Sequence, residues 1–247
     1  MNRDFNIKLI FRLLGSLLLI ESVFIFSSII IALIFNENDW AYFLITGSIC
    51  VVVGLLAIAA GRNARDTIGK REGSLFVTLI WIVFSLFGLL PFWLSDSIPS
   101  FTDAFFETIS GFTTTGATIL TDIESLSYSM LFWRSLTQWI GGLGIIVISL
   151  ALLPIFGFSG TQLFAAESTG PTKDKIHPKI TGTAKRLFLI YLLLTVSQTV
   201  LLMIGGMNWF DAICHSFTTI STGGFSTKQN SIMYWESSYI QYIIILF

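Results

Sequence analysis

Long apolar stretches with almost no charge constrain the fold of this chain more than any other feature. A helix needs about 20 mostly apolar residues to cross a bilayer. Five stretches meet that length or come close: 7–35, 41–60, 74–94, 131–156 and 187–206. Only 12% of the residues are charged, against about 25% in soluble domains. We therefore expect an all-α protein that crosses the membrane several times.

A sixth apolar stretch begins near Tyr239 and stops with the sequence at Phe247. It is too short to cross a bilayer, and we interpret the chain as a fragment or a truncated gene product. The first stretch has no cleavage site of small residues after a short apolar region, so we expect it to be a retained helix rather than a signal peptide.

The basic residues indicate the orientation. All 14 Lys and Arg residues except Arg134 and Lys228 lie near the amino terminus or in the second and fourth connections between apolar stretches. The other connections carry the acidic residues Glu37, Asp39, Asp96, Asp122, Glu124 and Glu236. By the positive-inside rule the amino terminus is cytoplasmic. The net charge of −1 does not indicate nucleic-acid binding.

Two connections on the predicted outer side, 95–130 and 207–238, do not resemble ordinary loops. Each begins with an apolar and aromatic run that is too short to span, and each run gives way to Thr, Ser and Gly. A short apolar segment between spans is a candidate re-entrant helix. Non-helical backbone persists at membrane depth only where protein or water surrounds it. Carbonyl and hydroxyl groups in such a segment can replace the water around a cation.

The two connections also align with each other without a gap. Asp103 falls on Asp211, Thr114 on Thr222 and Gly116 on Gly224, each pair 108 positions apart. The alignment predicts one unit, helix–loop–helix, that occurs twice in the same orientation. The predicted organisation is two leading helices with a cytoplasmic connection (1–73), a first unit (74–156), a cytoplasmic connection (157–186) and a second unit whose last helix is incomplete (187–247).

Four motifs carry a resemblance to a known family. They are FFETISGFTTTGAT (105–118), WRSLTQWIGGLGIIVI (133–148), AAESTGPTKDKIHPKITGTAK (165–185) and ISTGGFST (220–227). The chain resembles the membrane subunits of Trk potassium-uptake systems, within the Trk/Ktr/HKT superfamily. The resemblance implies four helix–pore loop–helix repeats around one potassium-channel-like pore, behind two leading helices, of which this sequence holds two repeats.

The resemblance also implies the function and the partners. It implies potassium uptake across the bacterial inner membrane, with potassium as substrate, no bound cofactor and no enzymatic step. It further implies a homodimer that docks a TrkA-like cytosolic nucleotide-binding subunit. Lys173, Lys175 and Lys179 are candidate contacts for that subunit or ordinary positive-inside charges.

The candidate filter follows from the same resemblance, because it matches the places of the T-V-G-Y segment of potassium channels. Its residues are Thr114, Thr115, Gly116, Ala117, Thr222, Gly223, Gly224 and Phe225.

Three further residues are candidates for bracing the pore. Glu107 lies in the first predicted pore helix, and His215 occupies its place in the second. Arg134 is either an interfacial anchor or a partner for a carboxylate such as Asp122 or Glu124.

Other polar and small residues leave two explanations open. Asp103 and Asp211 either stabilise helix amino termini or attract cations. Glu21 lies in the middle of the first span, where a carboxylate usually faces protein, and the sequence names no partner for it. The glycines of WIGGLGII, at 141, 142 and 144, provide either close helix packing or a hinge.

Two other functions compete with a pore. A secondary transporter with broken helices, coupled to sodium or another cation, would carry ionisable residues in several spans, whereas only Glu21 lies deep in one. An intramembrane enzyme would need a shared site at membrane depth. The two histidines, His177 and His215, fall on opposite predicted sides of the membrane.

Overall fold

The computed structural model describes residues 6–64, 70–152 and 180–247. Within these ranges the chain is helical and contains no β-strand. The α-helices are α1 (Ile7–Ile34), α2 (Trp40–Ala60), α3 (Lys70–Gly88), α4 (Leu90–Leu94), α5 (Phe101–Phe112), α6 (Tyr128–Leu152), α7 (Ile180–Ile204), α8 (Trp209–Ile220) and α9 (Ser238–Leu246), with a 3₁₀ turn at Ser231–Tyr234.

Among the described residues, four helical segments are long and apolar enough to cross a membrane. They are Ile7–Ile34, Trp40–Ala60, Arg71–Leu94 and Lys185–Ile204. Their outward faces are apolar, as Leu56 and Ile204 show with 65% and 70% of their surfaces exposed. These segments confirm the helical membrane fold. The predicted span 131–156 corresponds to α6, and residues 153–156 lie outside the described ranges.

Helices α1 and α2 form an antiparallel hairpin that packs through glycine. A Cβ atom added to Gly54 would lie 2.9 Å from the carbonyl oxygen of Gly15, and one added to Gly47 would lie 2.7 Å from Cδ1 of Phe26. Side chains larger than hydrogen would push the helices apart, so these positions set the hairpin's spacing.

Helix α6 lies at the centre of the fold and packs against α1, α5, α7 and α8. Its two buried tryptophans also form hydrogen bonds to other helices. Trp133 Nε1 donates to the carbonyl of Gly88 at 2.8 Å, at the end of α3, and Trp139 Nε1 donates to Thr195 Oγ1 at 3.0 Å. Each indole therefore has both an apolar and a polar partner, as buried tryptophan requires.

Two glycines let α6 approach the ends of α5 and α8 closely. A Cβ atom on Gly141 would lie 2.7 Å from the carbonyl carbon of Phe112, at the end of α5. One on Gly142 would lie 3.1 Å from Cα of Ser221, which follows α8. Gly144 is less tightly enclosed, with the nearest atom 3.7 Å away on Trp81. The packing explanation thus accounts for Gly141 and Gly142.

The amino terminus of α6 is held by the connection between α1 and α2. Glu37 accepts hydrogen bonds from the backbone N–H groups of Tyr128 at 2.6 Å and Ser129 at 3.0 Å. Asp39 accepts one from the hydroxyl of Ser127. Carboxylates at a helix amino terminus satisfy its free N–H groups and interact favourably with its dipole. The leading hairpin therefore fixes the position of the central helix.

Candidate cation-binding site

Helices α5 and α8 are the two short helices that the repeat predicts. Each has 12 residues, and their ends are 108 positions apart, as Phe101 and Trp209 are. Each also begins with a capping side chain in the same place. Ser100 accepts a hydrogen bond from the N–H of Asp103, and Asn208 accepts one from that of Asp211. The carboxyl ends of both helices lead directly into the Thr/Gly segments 113–117 and 221–225.

The backbone of the two segments follows the same unusual path. Thr114 and Thr222 have φ values of 54° and 58°, and Gly116 and Gly224 have 76° and 82°. Positive φ is uncommon for threonine and costs of order 1–3 kcal/mol when imposed on a non-glycine residue. Because residues with left-handed φ occur at alternate positions, the carbonyl groups of the segment point in directions that differ from those in a strand or a helix. The repetition of this strained geometry in both loops indicates a functional constraint.

The two segments touch each other. A Cβ atom added to Gly116 would overlap the carbonyl oxygen of Gly223. Glycine at 116 is therefore required both by its φ value and by the approach of the second segment. The sequence placed these two residues in separate loops, and the fold brings their backbones into contact.

The last residues of the two segments have different environments. The carbonyl of Ala117 accepts a hydrogen bond from Ser110 Oγ at 2.6 Å, on α5. Phe225 is buried, and its ring lies under the guanidinium of Arg134, with 3.6 Å from Cζ to the ring centre. The backbone N–H of Phe225 donates to Gln138 Oε1 at 3.1 Å.

Glu107 connects α5 to the chain that follows the first segment. Its carboxylate accepts from Thr118 Oγ1 and from the N–H of Ile119, all at 3.0 Å. It also forms an ion pair with Arg134, with 2.6 Å between Oε1 and Nε. Both side chains are almost completely buried. A buried carboxylate with this many donors is well compensated for its lost hydration.

Arg134 and His215 bind the residue that follows the second segment, as Glu107 binds the residues that follow the first. Arg134 Nη1 donates to the carbonyl of Ser226 at 2.9 Å, and His215 Nε2 lies 3.0 Å from Ser226 Oγ. His215 Nδ1 lies 2.8 Å from the carbonyl of Asp211, which can only accept, so Nδ1 is the donor and, in the neutral ring, Nε2 accepts from the serine. Glu107 and His215 are again 108 positions apart, and so are their partners Thr118 and Ser226.

The sequence left Arg134 as either an interfacial anchor or a partner for a carboxylate such as Asp122 or Glu124, and the structure pairs it with Glu107. Neither Asp122 nor Glu124 pairs with it. Glu124 pairs instead with Lys228, at 3.1 Å between Oε2 and Nζ. That bond and the one between Gln229 Oε1 and the N–H of Ile123 join the two outer connections directly. Arg134 is buried rather than interfacial, because Glu107 and Ser226 compensate its charge inside the protein.

Asp103 and Asp211 occupy the first turns of α5 and α8 but differ in burial. Asp211 is buried, and its carboxylate accepts from Thr227 Oγ1 and Asn208 Nδ2, both at 2.6 Å. Asp103 is half-buried. Both positions allow favourable interaction with the helix dipole, and Asp211 in addition ties the start of α8 to the chain beyond the second segment.

Glu21 is completely buried, and neither of its carboxylate oxygens has a hydrogen-bond partner among the described residues. It lies against the end of α3, where a Cβ atom on Gly88 would be 3.3 Å from Oε1. Cys50 and Cys214 are both free and buried.

A cavity of about 220 Å³ borders the second segment, and its lining includes Thr222, Gly223, Gly224 and His215. The described residues contain no group of three or more His, Cys, Asp and Glu side chains placed to hold a metal ion. Lys173, Lys175, Lys179 and His177 lie outside the described ranges, so the candidate docking surface is a sequence-based hypothesis.

Sequence reasoning missed two residues of this site. Ser226 lies in a run of serine and threonine, where nothing distinguishes the one that accepts from Arg134. Gln138 is a single amide within an apolar helix, and only the path of the second segment shows what it contacts. Its position one turn after Arg134 was the available signal, since residues four apart share a helix face.

The helical fold with four candidate membrane spans among the described residues defines a multi-pass membrane protein. The sequence model of the family described as "TrkH: Cation transport protein" matches residues 41–247, and the chain belongs to this family. It therefore belongs with transport proteins and not with enzymes.

Individual relatives agree with this family. The chain is 44% identical over 244 residues to the Trk system potassium uptake protein TrkH of Escherichia coli K12, covering 98% of this chain and 50% of that protein. It is 35% identical to TrkG of the same organism over 240 residues, covering 96% of this chain and 50% of that protein. The crystal structure of the potassium transporter TrkH from Vibrio parahaemolyticus matches with a TM-score of 0.86 at 37% identity, covering 98% of this chain and 49% of that one. The chain thus spans about half the length of the relatives that it matches.

Proposed function

We propose that this chain supplies two helix–pore loop–helix repeats to a pathway for potassium uptake across the bacterial inner membrane. The units are 74–156 and 187–247, preceded by the leading helices of 1–73, and the amino terminus is cytoplasmic. Relatives that bear the name potassium uptake protein support potassium as the substrate. The cation moves through a filter of backbone oxygens at residues 114–117 and 222–225.

The repeated left-handed geometry supports this pathway most directly, and it occurs at Thr114, Gly116, Thr222 and Gly224. Two contacting segments of this kind bring backbone oxygens together, and such oxygens replace the hydration shell of a potassium ion. The carboxyl ends of α5 and α8 also point their negative dipole ends toward the segments, which favours a cation.

The driving force needs no chemical step in this chain. A monovalent cation that moves down a membrane potential of 100 mV releases about 2.3 kcal/mol. Transport is therefore controlled by whether the pathway is open. We assign that control to a TrkA-like cytosolic nucleotide-binding subunit that acts on a homodimer, in keeping with the Trk system named in the relatives.

A chimera tests the proposal. Residues 1–247 are joined to the part of E. coli TrkH that they do not cover, and the chimera is expressed in cells without potassium-uptake systems of their own. We expect growth on limiting potassium, and loss of growth for Gly116→Val, because that side chain overlaps the second segment. The matched control is Gly206→Val. Gly206 also has positive φ, at 96°, but lies in the connection between α7 and α8.

Growth of the Gly116→Val chimera at the rate of its parent, with the protein present in the membrane, would refute the filter assignment. Failure of the parent chimera to support growth, although it reaches the membrane, would count against potassium uptake itself.

A further inference from the structure

Gln138 lies where the two Thr/Gly segments meet, although it belongs to the helix of the first repeat. Its side chain is completely buried on α6, one turn after Arg134. Its Oε1 accepts the hydrogen bond from the N–H of Phe225, at the end of the second segment. The first repeat thus controls the backbone of the second through one amide.

The same side chain packs against glycines of both segments. A Cβ atom added to Gly223 would lie 2.6 Å from Gln138 Nε2, and one added to Gly116 would lie 3.8 Å from it. Because the carbonyl oxygen of Gly223 also contacts Gly116, the amide group of Gln138 fills the space behind this junction. The separation of the two segments therefore depends on the size and position of this amide.

The other half of the amide has no partner. Gln138 Nε2 is buried and has no hydrogen-bond acceptor among the described residues. The bond from Phe225 fixes which end of the amide is oxygen, so Nε2 must face the junction. A buried donor left unpaired is costly and calls for an explanation. One is available here, because carbonyl oxygens that serve a cation cannot also turn back to accept from Nε2.

From this geometry we infer that Gln138 is a positioning residue that sets ion choice. By holding Phe225 and packing behind the contact between Gly116 and Gly223, it fixes the spacing of the oxygens that a dehydrated monovalent cation meets. The part that concerns ion choice rests on the proposed function. The contact between Gln138 and Phe225 does not, and it can be tested without transport.

The first experiment uses the purified chain 1–247 in lipid nanodiscs, with phenylalanine labelled for NMR. Hydrogen exchange at the backbone amide of Phe225 is compared among four proteins. We expect slow exchange in the parent and in Gln138→Glu, which keeps the acceptor, and at least about tenfold faster exchange in Gln138→Leu, since a buried hydrogen bond is lost. Gln198→Leu is the matched control, because Gln198 is equally buried and bonds to neither segment.

The second experiment measures potassium against sodium permeability in liposomes that contain the chimera described above. We expect Gln138→Leu to conduct but to lose about tenfold of its discrimination, which corresponds to about 1.4 kcal/mol. Gln198→Leu is expected to keep the parental ratio.

Unchanged exchange at Phe225 in Gln138→Leu would overturn the inference, as would an unchanged permeability ratio in a conducting Gln138→Leu chimera. An equal loss of discrimination in Gln198→Leu would also overturn it, because the effect would then not belong to the junction. If the parent chimera does not transport, the proposed function fails, and the exchange experiment alone decides whether Gln138 positions Phe225.

Discussion

Arg134 Nε lies 2.6 Å from Glu107 Oε1, and the two side chains are 2% or less exposed. Through this pair, the chain after the first Thr/Gly segment is linked to the chain after the second, since Glu107 accepts from Thr118 and Arg134 donates to Ser226. The paired charges therefore connect the two repeats behind the candidate filter.

Removing one partner of this pair is expected to destabilise the fold strongly. Arg134→Met leaves the carboxylate of Glu107 buried without its cation, and such a loss costs about 3–5 kcal/mol. The double variant Arg134→Met, Glu107→Gln is expected to recover much of this. The free energy of unfolding in mixed micelles, followed by helicity, measures both. Glu124→Gln, which breaks the exposed ion pair with Lys228, is the control and should change little. A single Arg134→Met variant as stable as the parent would contradict a structural role for the pair.

Alanine substitutions at three glycines with positive φ should distinguish the cost of backbone strain from the cost of crowding at the filter. Gly206 and Gly224 have φ values of 96° and 82°, and added Cβ atoms there would meet nothing within 4 Å. Replacement by alanine is expected to cost about 1–2 kcal/mol at each, the penalty of a left-handed L-residue. Gly116→Ala should cost more, because its Cβ also overlaps the carbonyl of Gly223. Equal losses in unfolding free energy at all three positions would show that the two segments do not touch.

Glu21 is expected to lower the free energy of unfolding, because its carboxyl group is buried without a partner among the described residues. Glu21→Leu removes a buried carboxyl group that has no partner among the described residues, and the gain should be roughly 1–3 kcal/mol. Thermal unfolding in detergent measures the change. Glu107→Leu is the contrasting variant and should lower stability, since it strands Arg134. A loss of stability in Glu21→Leu would show that Glu21 has a bound partner that compensates its burial.

The outer ion pair should respond to pH. The ammonium of Lys228 and the N–H of Gln229 hydrogen-bond to Glu124 and hold the pKa of its carboxyl below the ordinary value. Because the folded-state pKa is lowered, the contribution to stability is present above the ordinary carboxyl pKa and is lost as the pH falls through the lowered value. NMR titration of Glu124 in Lys228→Met should show the pKa raised toward its ordinary value, since the larger of the two causes is removed and the N–H of Gln229 remains. A titration curve identical to that of the parent would contradict the pairing.

The sequence was sufficient to predict the parts of the fold that depend on local pattern. The length of the apolar stretches predicted the spanning helices, and the change from aromatic to Thr/Gly residues predicted the short helices α5 and α8. The match of Asp103 with Asp211 and of Gly116 with Gly224 predicted the repeat. The paired φ values show the same repeat in the backbone.

Long-range partners could not be predicted in the same way. The sequence left Arg134 as either an interfacial anchor or a partner for a carboxylate such as Asp122 or Glu124, whereas its partner, Glu107, is on a separate helix. Which face of a 12-residue helix turns inward depends on the elements that pack against it. Glu37 likewise looked like an ordinary loop charge, and only the approach of α6 shows that it caps that helix.

On the proposed function, the two Thr/Gly segments line one path for a cation. The most direct test is an anomalous difference map from crystals of the chimera grown in a thallium salt, since thallium is a heavy substitute for potassium. We predict a peak at the junction of residues 114–116 and 222–224, surrounded by backbone oxygens. A map with strong thallium peaks elsewhere and none at this junction would contradict a cation path between the two segments.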